Sequence, residues 1–290
     1  MELKLIFLNR EVKIKYIIDG DAARCKSVKD RLNLSEVRFL QPAEADLLYQ
    51  DEEVNAVIVA TPTYTHEEYI TRSLEAGKAV FTEKPVSENT EAVDRLYQLA
   101  AKMNQPLFCA FNRRFDPGFS DVRAKIRQGQ LGQVQQIKLT SRDSPLPSVA
   151  YLKISGGIFH DCMVHDIDLM TYILGEYPVQ VFTIANAMIP EVAELNDHDN
   201  VVSTFKFASG LSTLKWYATL VYPAKKISFA GTIGVVDISR FASYGYDQRL
   251  EVFGPGGMLQ VDNDKPNSSI HYNNVGISKY RTLLFFIKIP

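Results

Sequence analysis

The chain has 290 residues, of which 46% are hydrophobic, so it is long enough for two packed domains or one large domain. A formal net charge of −2 gives no basic face, which excludes a typical nucleic-acid-binding surface. The three cysteines, Cys25, Cys109 and Cys162, are far apart in sequence, which argues against a disulfide framework and favours a reducing compartment. Because the apolar stretches near both ends are too short for a signal peptide or a membrane helix, we expect a cytoplasmic protein without a membrane partner.

The first part of the chain alternates between short apolar runs and amphipathic segments. Strands are predicted at residues 12–19, 54–60, 79–82 and 107–111, with a short strand starting at Phe39. Helices are predicted at residues 22–32, 42–50, 66–75 and 90–103. This alternation indicates βαβ units and a parallel sheet, which binds ligands beyond the carboxyl ends of its strands. The polar or loop residues at those ends are Asp19, Thr61, Pro62, Glu83, Lys84, Asn112 and Arg113.

Strands dominate the second part of the chain, which begins near residue 115. A helix at 119–127 and a strand at 133–142 precede a helix that ends at Gly175. Further strands are predicted at residues 180–186, 200–207, 211–218, 226–230, 235–239, 248–253 and 258–261, with tight turns at 209–210 and 255–257. The whole pattern predicts an α/β chain, in which a parallel sheet is followed by an α+β domain with a large open, mainly antiparallel sheet.

The stretch from Gly156 to Asp166 carries the clearest candidate for chemistry. Asp161 and His165 are four residues apart, so on a helix they share one face, while Ile158, Met163, Ile167 and Met170 can face a core. A carboxylate and an imidazole on one rigid element suit proton transfer near neutral pH. The alternative is that the two side chains form an ordinary solvated pair on a helix surface.

A metal site is the main rival interpretation of this stretch. Five potential ligands fall within nine residues: His160, Asp161, His165, Asp166 and Asp168. However, His160 and Asp166 point to other faces of a helix, and no second group of histidines or cysteines occurs elsewhere. We therefore assign no metal ligands and keep a metal-dependent hydrolase as an alternative. Cys162 is interpreted as a buried thiol rather than as a nucleophile.

Two strand ends in the first domain have both a functional and a structural interpretation. Asp19 is placed to accept hydrogen bonds from the adenine-ribose hydroxyls of a dinucleotide, or it simply starts a turn before Gly20. Arg24, one helical turn later, could instead favour a 2′-phosphate, so the choice between NAD and NADP leans towards NAD. Lys84 can stabilise a developing alkoxide, or it is a solvated loop lysine.

Taken in order, several stretches resemble the glucose–fructose oxidoreductase / inositol dehydrogenase (Gfo/Idh/MocA) family. The matching stretches are residues 59–66, 76–78, 83–85, 111–116, 156–157, 161 with 165–168, and 231–234. The resemblance covers roughly residues 12 to 262, and inositol 2-dehydrogenase-like members are the most similar in these motifs. Any one of these motifs is weak, but their common order is specific.

The resemblance implies both a fold and an activity. It implies a dinucleotide-binding (Rossmann) domain over residues 1–115, a substrate and oligomerisation domain over 116–290, and NAD(P)-dependent oxidation of a sugar or polyol hydroxyl. Lys84 and His165 would form the catalytic pair, and Asp161 would orient the substrate and His165. Residues implied at the cofactor are Asp19, Thr61, Pro62, His66, Glu83 and Asn112, with Arg113 in contact with either ligand. A homodimer or homotetramer is also implied.

The chain departs from the family pattern at both ends. It has no GxGxxG turn to hold a pyrophosphate, and residues 1–10 resemble the remnant of the following helix instead. Losing two phosphate hydrogen bonds would cost about 10²- to 10⁴-fold in cofactor affinity. We therefore expect an incomplete first domain without its central strand, a chain trimmed at both ends, and an activity that is in question. A non-catalytic dimerising or sensing module on the same fold is the alternative.

Overall fold

The computed structural model describes residues 12–32, 34–209, 231–262, 268–273 and 276–280. The chain divides into two compact units, Met1–Ala110 and Phe111–Pro290. The domain boundary near residue 115 stays a prediction beside this division. The strands expected at 211–218 and 226–230, and the turn at 209–210, lie wholly or partly outside the described residues.

The first unit is built from parallel strands and helices, as the sequence predicts. Its described strands are β1 (Tyr16–Ile18), β2 (Arg38–Leu40), β3 (Ala56–Val59), β4 (Ala79–Thr82) and β5 (Leu107–Cys109). Its helices are α1 (Ala22–Leu32), α2 (Asp46–Gln50), α3 (His66–Glu75) and α4 (Thr90–Lys102), with 3₁₀ turns at Pro42–Glu44 and Thr63–Thr65. The strand predicted at 12–19 is shorter than expected, because its partner β2 offers only three residues for pairing.

The parallel strands of this unit form two separate sheets. The strand β1 pairs with β2, whereas β3, β4 and β5 pair in that order. Within the described residues no strand joins the two sheets, at the place where a doubly wound fold has its central strand. On the face of β3–β5 opposite α3, Ile58, Phe81 and Phe108 are exposed in adjacent registers, and the two rings stack 5.5 Å apart. A partial Rossmann sheet is therefore confirmed for the described part of the chain.

The described residues of the second unit form an eight-stranded sheet in the order β13-β12-β11-β10-β6-β9-β8-β7. Its strands are β6 (Gln136–Arg142), β7 (Pro178–Asn186), β8 (Asn200–Phe207), β9 (Ile233–Ser239), β10 (Asp247–Gly254), β11 (Gly257–Asp262), β12 (Ser268–Asn273) and β13 (Gly276–Tyr280). Every neighbouring pair is antiparallel except β6 and β9. The predicted large, mainly antiparallel sheet is thus confirmed. The sequence analysis missed β12 and β13, whose polar composition lacks the apolar alternation of the other strands.

Helices cover one face of this sheet and enclose the core with it. They are α5 (Pro117–Arg127), α6 (Val149–Leu152), α7 (Val164–Leu174) and α8 (Pro190–Ala193), with a 3₁₀ turn at Asn112–Phe115 and a π-helical turn at Phe159–Met163. Ile158, Met163 and Met170 are buried in this core and Ile167 packs against it, as predicted. None of the helices in the described ranges is long and apolar enough to cross a membrane. The cytoplasmic location stays a prediction.

Candidate active site

Two glycines shape the entry into the helix that carries Asp161 and His165. Gly156 and Gly157 have φ angles of +78° and +83°, a left-handed conformation that side chains other than glycine rarely adopt. A Cβ atom on Gly157 would also lie 3.0 Å from Oδ1 of Asp197. That same oxygen accepts a hydrogen bond of 3.0 Å from the amide of Ile158, at the start of the helical segment. Asp197 therefore caps the helix, and the glycines leave room for it.

Asp161 is held in place through both of its carboxylate oxygens. The Tyr151 hydroxyl donates to Oδ1 at 2.7 Å, and Nη1 of the fully buried Arg240 donates to Oδ2 at 2.8 Å. Burial, and then the hydrogen bond to Asp161, raise the pKa of Tyr151, so its hydroxyl remains protonated and keeps donating. The two hydrogen bonds hold the carboxylate of Asp161 in a fixed orientation.

His165 lies at the start of α7, one helical turn after Asp161. Its ring contacts the ring of Phe111 edge to face, with 6.5 Å between the ring centroids. The Nδ1 atom of His165 is buried. The structure therefore places Asp161 and His165 on one continuous helical segment, and their roles in proton transfer stay a prediction.

Arg113 is anchored by a buried carboxylate rather than extended into solvent. Its Nη1 atom lies 2.6 Å from Oδ1 of Asp166, and the Ser141 hydroxyl donates to the same oxygen. Asp166 is fully buried, and that burial raises its pKa while the guanidinium of Arg113 and the Ser141 hydroxyl oppose the shift. The predicted contact between Arg113 and a ligand stays a prediction. The side chain that would make this contact is held in place by Asp166.

The carboxylates of the alternative metal site are each bound by a different arginine. Asp161 pairs with Arg240, Asp166 with Arg113, and Asp168 with Arg114, whose Nε lies 2.8 Å from Oδ2 of Asp168. Among the residues that the structure describes, no group of three or more histidine, cysteine or acidic side chains is arranged to hold a metal ion. The geometry gives the metal-hydrolase alternative no support, because guanidinium groups already neutralise these carboxylates.

The sulfur of Cys162 is held inside the second unit. It lies 3.7 Å from Nη1 of Arg240 and 3.8 Å from Oδ2 of Asp143. The side chain is buried, and it belongs to the core cluster of this unit. These contacts agree with the interpretation of Cys162 as a buried thiol.

In the first unit, the predicted strand-end residues follow neighbouring parallel strands. Thr61 and Pro62 come after β3, and Glu83 and Lys84 come after β4. The amide of Glu83 donates to the carbonyl of Val59 at 2.8 Å, which extends the pairing of these strands up to the loop. The Lys84–Pro85 peptide bond is cis. Since β3 and β4 are parallel, both loops lie at the same carboxyl edge of the sheet.

The side chain of His66 connects these two loops. Its side chain is buried, with Nδ1 2.8 Å from the carbonyl oxygen of Pro85 and Nε2 2.9 Å from that of Thr61. Both ring nitrogens are thus occupied by main-chain carbonyls. The ring therefore holds the loops that carry Thr61 and Lys84, and the expectation that His66 lines the cofactor stays a prediction.

The end of β1 offers a carboxylate that suits a ribose. Oδ1 of Asp19 accepts from the amide of Asp21 at 2.9 Å, and Nη1 of Arg24 lies 3.0 Å from Oδ2. An oriented carboxylate at this place in a parallel fold is the usual acceptor for ribose hydroxyls of NAD, so the residues present fit that part of the cofactor. Asn112, by contrast, begins the 3₁₀ turn Asn112–Phe115 in the second unit, where it is exposed.

Three residues of the second unit that bind the site were not predicted from the sequence. They are Tyr151, Asp197 and Arg240, which come from α6, from the loop after α8 and from the residue after β9. No local pattern marks them. Arg240 lies 79 residues from Asp161 and Asp197 lies 39 residues from Ile158, whereas Tyr151 lies ten residues before Asp161 on a separate short helix.

Comparison with known proteins matches both units of the chain to one family. The family model described as "Oxidoreductase family, NAD-binding Rossmann fold" matches residues 3–111, and "GFO/IDH/MocA C-terminal domain" matches residues 119–260. The chain is 35% identical to the myo-inositol 2-dehydrogenase of Thermotoga maritima, over 94% of this chain and 74% of that protein. It is 34% identical to the inositol 2-dehydrogenase of Rhizobium meliloti, over 91% of this chain and 72% of that protein.

A solved structure gives the same result for the fold. The myo-inositol dehydrogenase of Corynebacterium glutamicum superposes with a TM-score of 0.74 at 27% identity, covering 97% of this chain and 77% of that chain. The sequence and structural comparisons therefore agree with each other and with the order of the motifs.

Proposed function

Because the chain belongs to the Gfo/Idh/MocA family of NAD-binding oxidoreductases, we propose that it oxidises a secondary hydroxyl of an inositol-like polyol or a sugar, with NAD as the hydride acceptor. The observation that supports this activity best is the carboxylate of Asp161, which Tyr151 and Arg240 hold in a fixed orientation on the helical segment that also carries His165. Named relatives of at least 34% identity that are inositol 2-dehydrogenases support the substrate class.

The proposed mechanism divides the reaction between a proton and a hydride. The bound nicotinamide supplies the acceptor for the hydride that leaves the carbinol carbon. The imidazole of His165 takes the hydroxyl proton, and Asp161 orients the imidazole and the substrate hydroxyl. The ammonium group of Lys84 donates a hydrogen bond to the substrate oxygen and stabilises the negative charge that develops there. His165 and Lys84 both act on the substrate hydroxyl as it is oxidised. We therefore expect the loss of either side chain to lower kcat.

NAD rather than NADP is the proposed cofactor. The carboxylate of Asp19 would accept hydrogen bonds from the adenine-ribose hydroxyls and would repel a 2′-phosphate, although Arg24 beside it partly offsets its charge. Thr61, Pro62, His66, Glu83, Asn112 and Arg113 are the other residues proposed to contact the cofactor. The oriented carboxylate of Asp19 fits the ribose, while the sequence contains no GxGxxG turn for the pyrophosphate.

A substrate and cofactor panel tests this function. The purified chain is incubated with myo-inositol, scyllo-inositol and several aldoses, with either NAD or NADP, and formation of reduced nicotinamide is followed by absorbance. We expect turnover with at least one inositol, and a preference for NAD of about tenfold or more, since one charge repulsion of about 1.4 kcal/mol gives that ratio. Absence of reduced nicotinamide with every substrate would contradict the proposal.

An inactive chain and the non-catalytic module receive no support from the two relatives named above, which are both inositol 2-dehydrogenases. The panel separates these possibilities when it is combined with a fluorescence titration of NADH. Cofactor binding together with turnover is the expected result. A chain that fails to bind NADH even at millimolar concentration would favour the dimerising or sensing module instead.

We also propose that copies of the chain associate through the open face of the large sheet. At its β7–β9 end this face exposes Phe182, Ile184, Val202 and Ile233, with side chains that are 66%, 58%, 51% and 47% exposed. A cluster of exposed apolar side chains is typical of an interface between protein chains. We expect a homodimer or a homotetramer.

Replacing Phe182 with glutamate tests this surface. A charge in an apolar interface should shift the mass measured by size-exclusion chromatography with light scattering towards that of a single chain. Lys138→Gln, on the same face but at its polar β6 position, serves as the control and should leave the mass unchanged. A wild-type chain that is already a monomer at micromolar concentration would refute the proposed association.

A further inference from the structure

The buried guanidinium of Arg240 joins three segments of the second unit around the glycine turn. Arg240 directly follows β9, which lies between β6 and β8 in the sheet, and its side chain is fully buried. Besides Asp161, it contacts Oδ2 of Asp197 at 3.2 Å and the Ser155 hydroxyl at 3.3 Å. Arg240 therefore contacts Ser155 before the glycine turn, Asp161 after it, and Asp197 in the loop that caps the helix.

Both carboxylates that Arg240 binds have a second task at the same helix. Asp161 accepts the Tyr151 hydroxyl with its other oxygen, and Asp197 accepts the amide of Ile158 with its other oxygen. Arg240 thus fixes the start of the helix directly, through Asp161, and indirectly, through the cap made by Asp197. A lysine at this position would bring one compact ammonium group and could not reproduce the planar fork of a guanidinium.

The local charge balance depends on this arginine. Burial raises the pKa of the neighbouring Asp143, Arg113 opposes that shift, and the negative charge of Asp161 adds to it. Without Arg240, the carboxylates of Asp161, Asp143 and Asp197 would face one another with less positive charge among them. A buried carboxylate that loses its cation either takes up a proton or moves towards water, and in both cases its orientation changes.

We infer that Arg240 is a positioning residue for the proposed dehydrogenase reaction, because it holds Asp161 in the orientation that the reaction uses. The inference rests on the proposed function, since it assigns Arg240 an effect on turnover through Asp161. Arg240 touches neither the substrate nor the cofactor in this scheme. Its effect should therefore appear in kcat, while KM and the affinity for NADH change little.

A double-mutant cycle tests the inference. The variants are Arg240→Met, Asp161→Asn and the combination of both, with kcat and KM measured for the best inositol of the panel. We expect Arg240→Met to lower kcat about 10- to 100-fold, as a misplaced reacting group does, and to change KM less than about threefold. In the Asp161→Asn background the same change should cost no more than about twofold, because residues that act through one another are not additive.

Two further variants keep the test informative. Arg240→Lys preserves the charge but not the fork, and we expect it to recover part of the lost kcat. If circular dichroism and thermal unfolding show that Arg240→Met does not fold, the cycle is run with Arg240→Lys instead. A loss of kcat that disappears in the Asp161→Asn background then supports the inference, and a loss that multiplies with that of Asp161→Asn refutes it. Arg249→Met, which breaks an arginine–aspartate pair with Asp247 in β10, is the control and should leave kcat unchanged.

The results distinguish this inference from the proposed function. A wild-type chain without turnover refutes the dehydrogenase function and the role of Arg240 in it together. An active wild-type chain in which the losses of Arg240→Met and Asp161→Asn multiply refutes the inference alone, because Arg240 then does not act through Asp161. Wild-type kcat in Arg240→Met has the same consequence.

Discussion

Replacing His165 with alanine is expected to lower kcat for inositol oxidation by about 10²- to 10⁴-fold, the range over which a lost general base reduces a rate. The reason is that the imidazole of His165 is the proposed acceptor of the hydroxyl proton. The KM for the polyol should change much less than kcat, because the loss falls mainly on the transition state. Initial rates at several substrate concentrations, with saturating NAD, measure both constants.

A matched control separates chemistry from folding for this variant. His160→Ala removes an exposed histidine from the preceding helical turn and should keep kcat within about twofold, the spread expected of surface changes. Fluorescence titration should give the same NADH affinity for wild type and His165→Ala, since the histidine is assigned to the substrate. A near-normal kcat in His165→Ala would remove the histidine from the mechanism.

Replacing Lys84 with methionine should reduce kcat by about 10²- to 10³-fold, the loss seen when a donor to a developing negative charge is removed. Methionine keeps the length and apolar stem of lysine but removes the ammonium group, so packing around the loop is largely conserved. The loop itself is held from the other side by His66, whose ring bonds to the carbonyl of Pro85. We therefore expect the fold of the first unit, measured by thermal unfolding, to be unchanged.

Lys102→Met provides the comparison for this second prediction. Lys102 is exposed at the end of α4, away from the strand ends, and its loss should leave kcat and NADH affinity unaltered. Turnover by Lys84→Met at the wild-type rate would show that the substrate oxygen is stabilised by another group. Loss of NADH binding in Lys84→Met, with little further loss in kcat, would instead assign the lysine to the cofactor.

Most elements follow from the local pattern of the chain. The bounds predicted for α1, α3 and β4 agree with the structure, because each has a clear apolar period between defined turn residues. Strands with few apolar residues were harder to predict. β12 and β13 are rich in serine, asparagine and lysine, and they form by pairing with β11 and with each other rather than by local preference.

At the candidate site, too, some features could be predicted from the local pattern of residues and others could not. The placement of Asp161 and His165 on one helical segment could be predicted, because a spacing of four residues corresponds to about one helical turn. The supporting role of His66 could not be predicted, since its two partners are main-chain carbonyls of loops after different strands. The imidazole was assigned to a ligand because no pattern in the sequence indicates that these carbonyls lie beside it.

The amino-acid sequence by itself determined the types of element, their order and the helical segment that carries Asp161 and His165, because these depend on periodicity and short-range spacing. Only the tertiary structure decided which charges neutralise one another. Arg240 and Asp161 are 79 residues apart in the chain, and they meet because β9 lies in the middle of the sheet beneath the helix entry. A buried ion pair of this kind depends on where folding brings the backbone, and no local pattern of residues encodes that position.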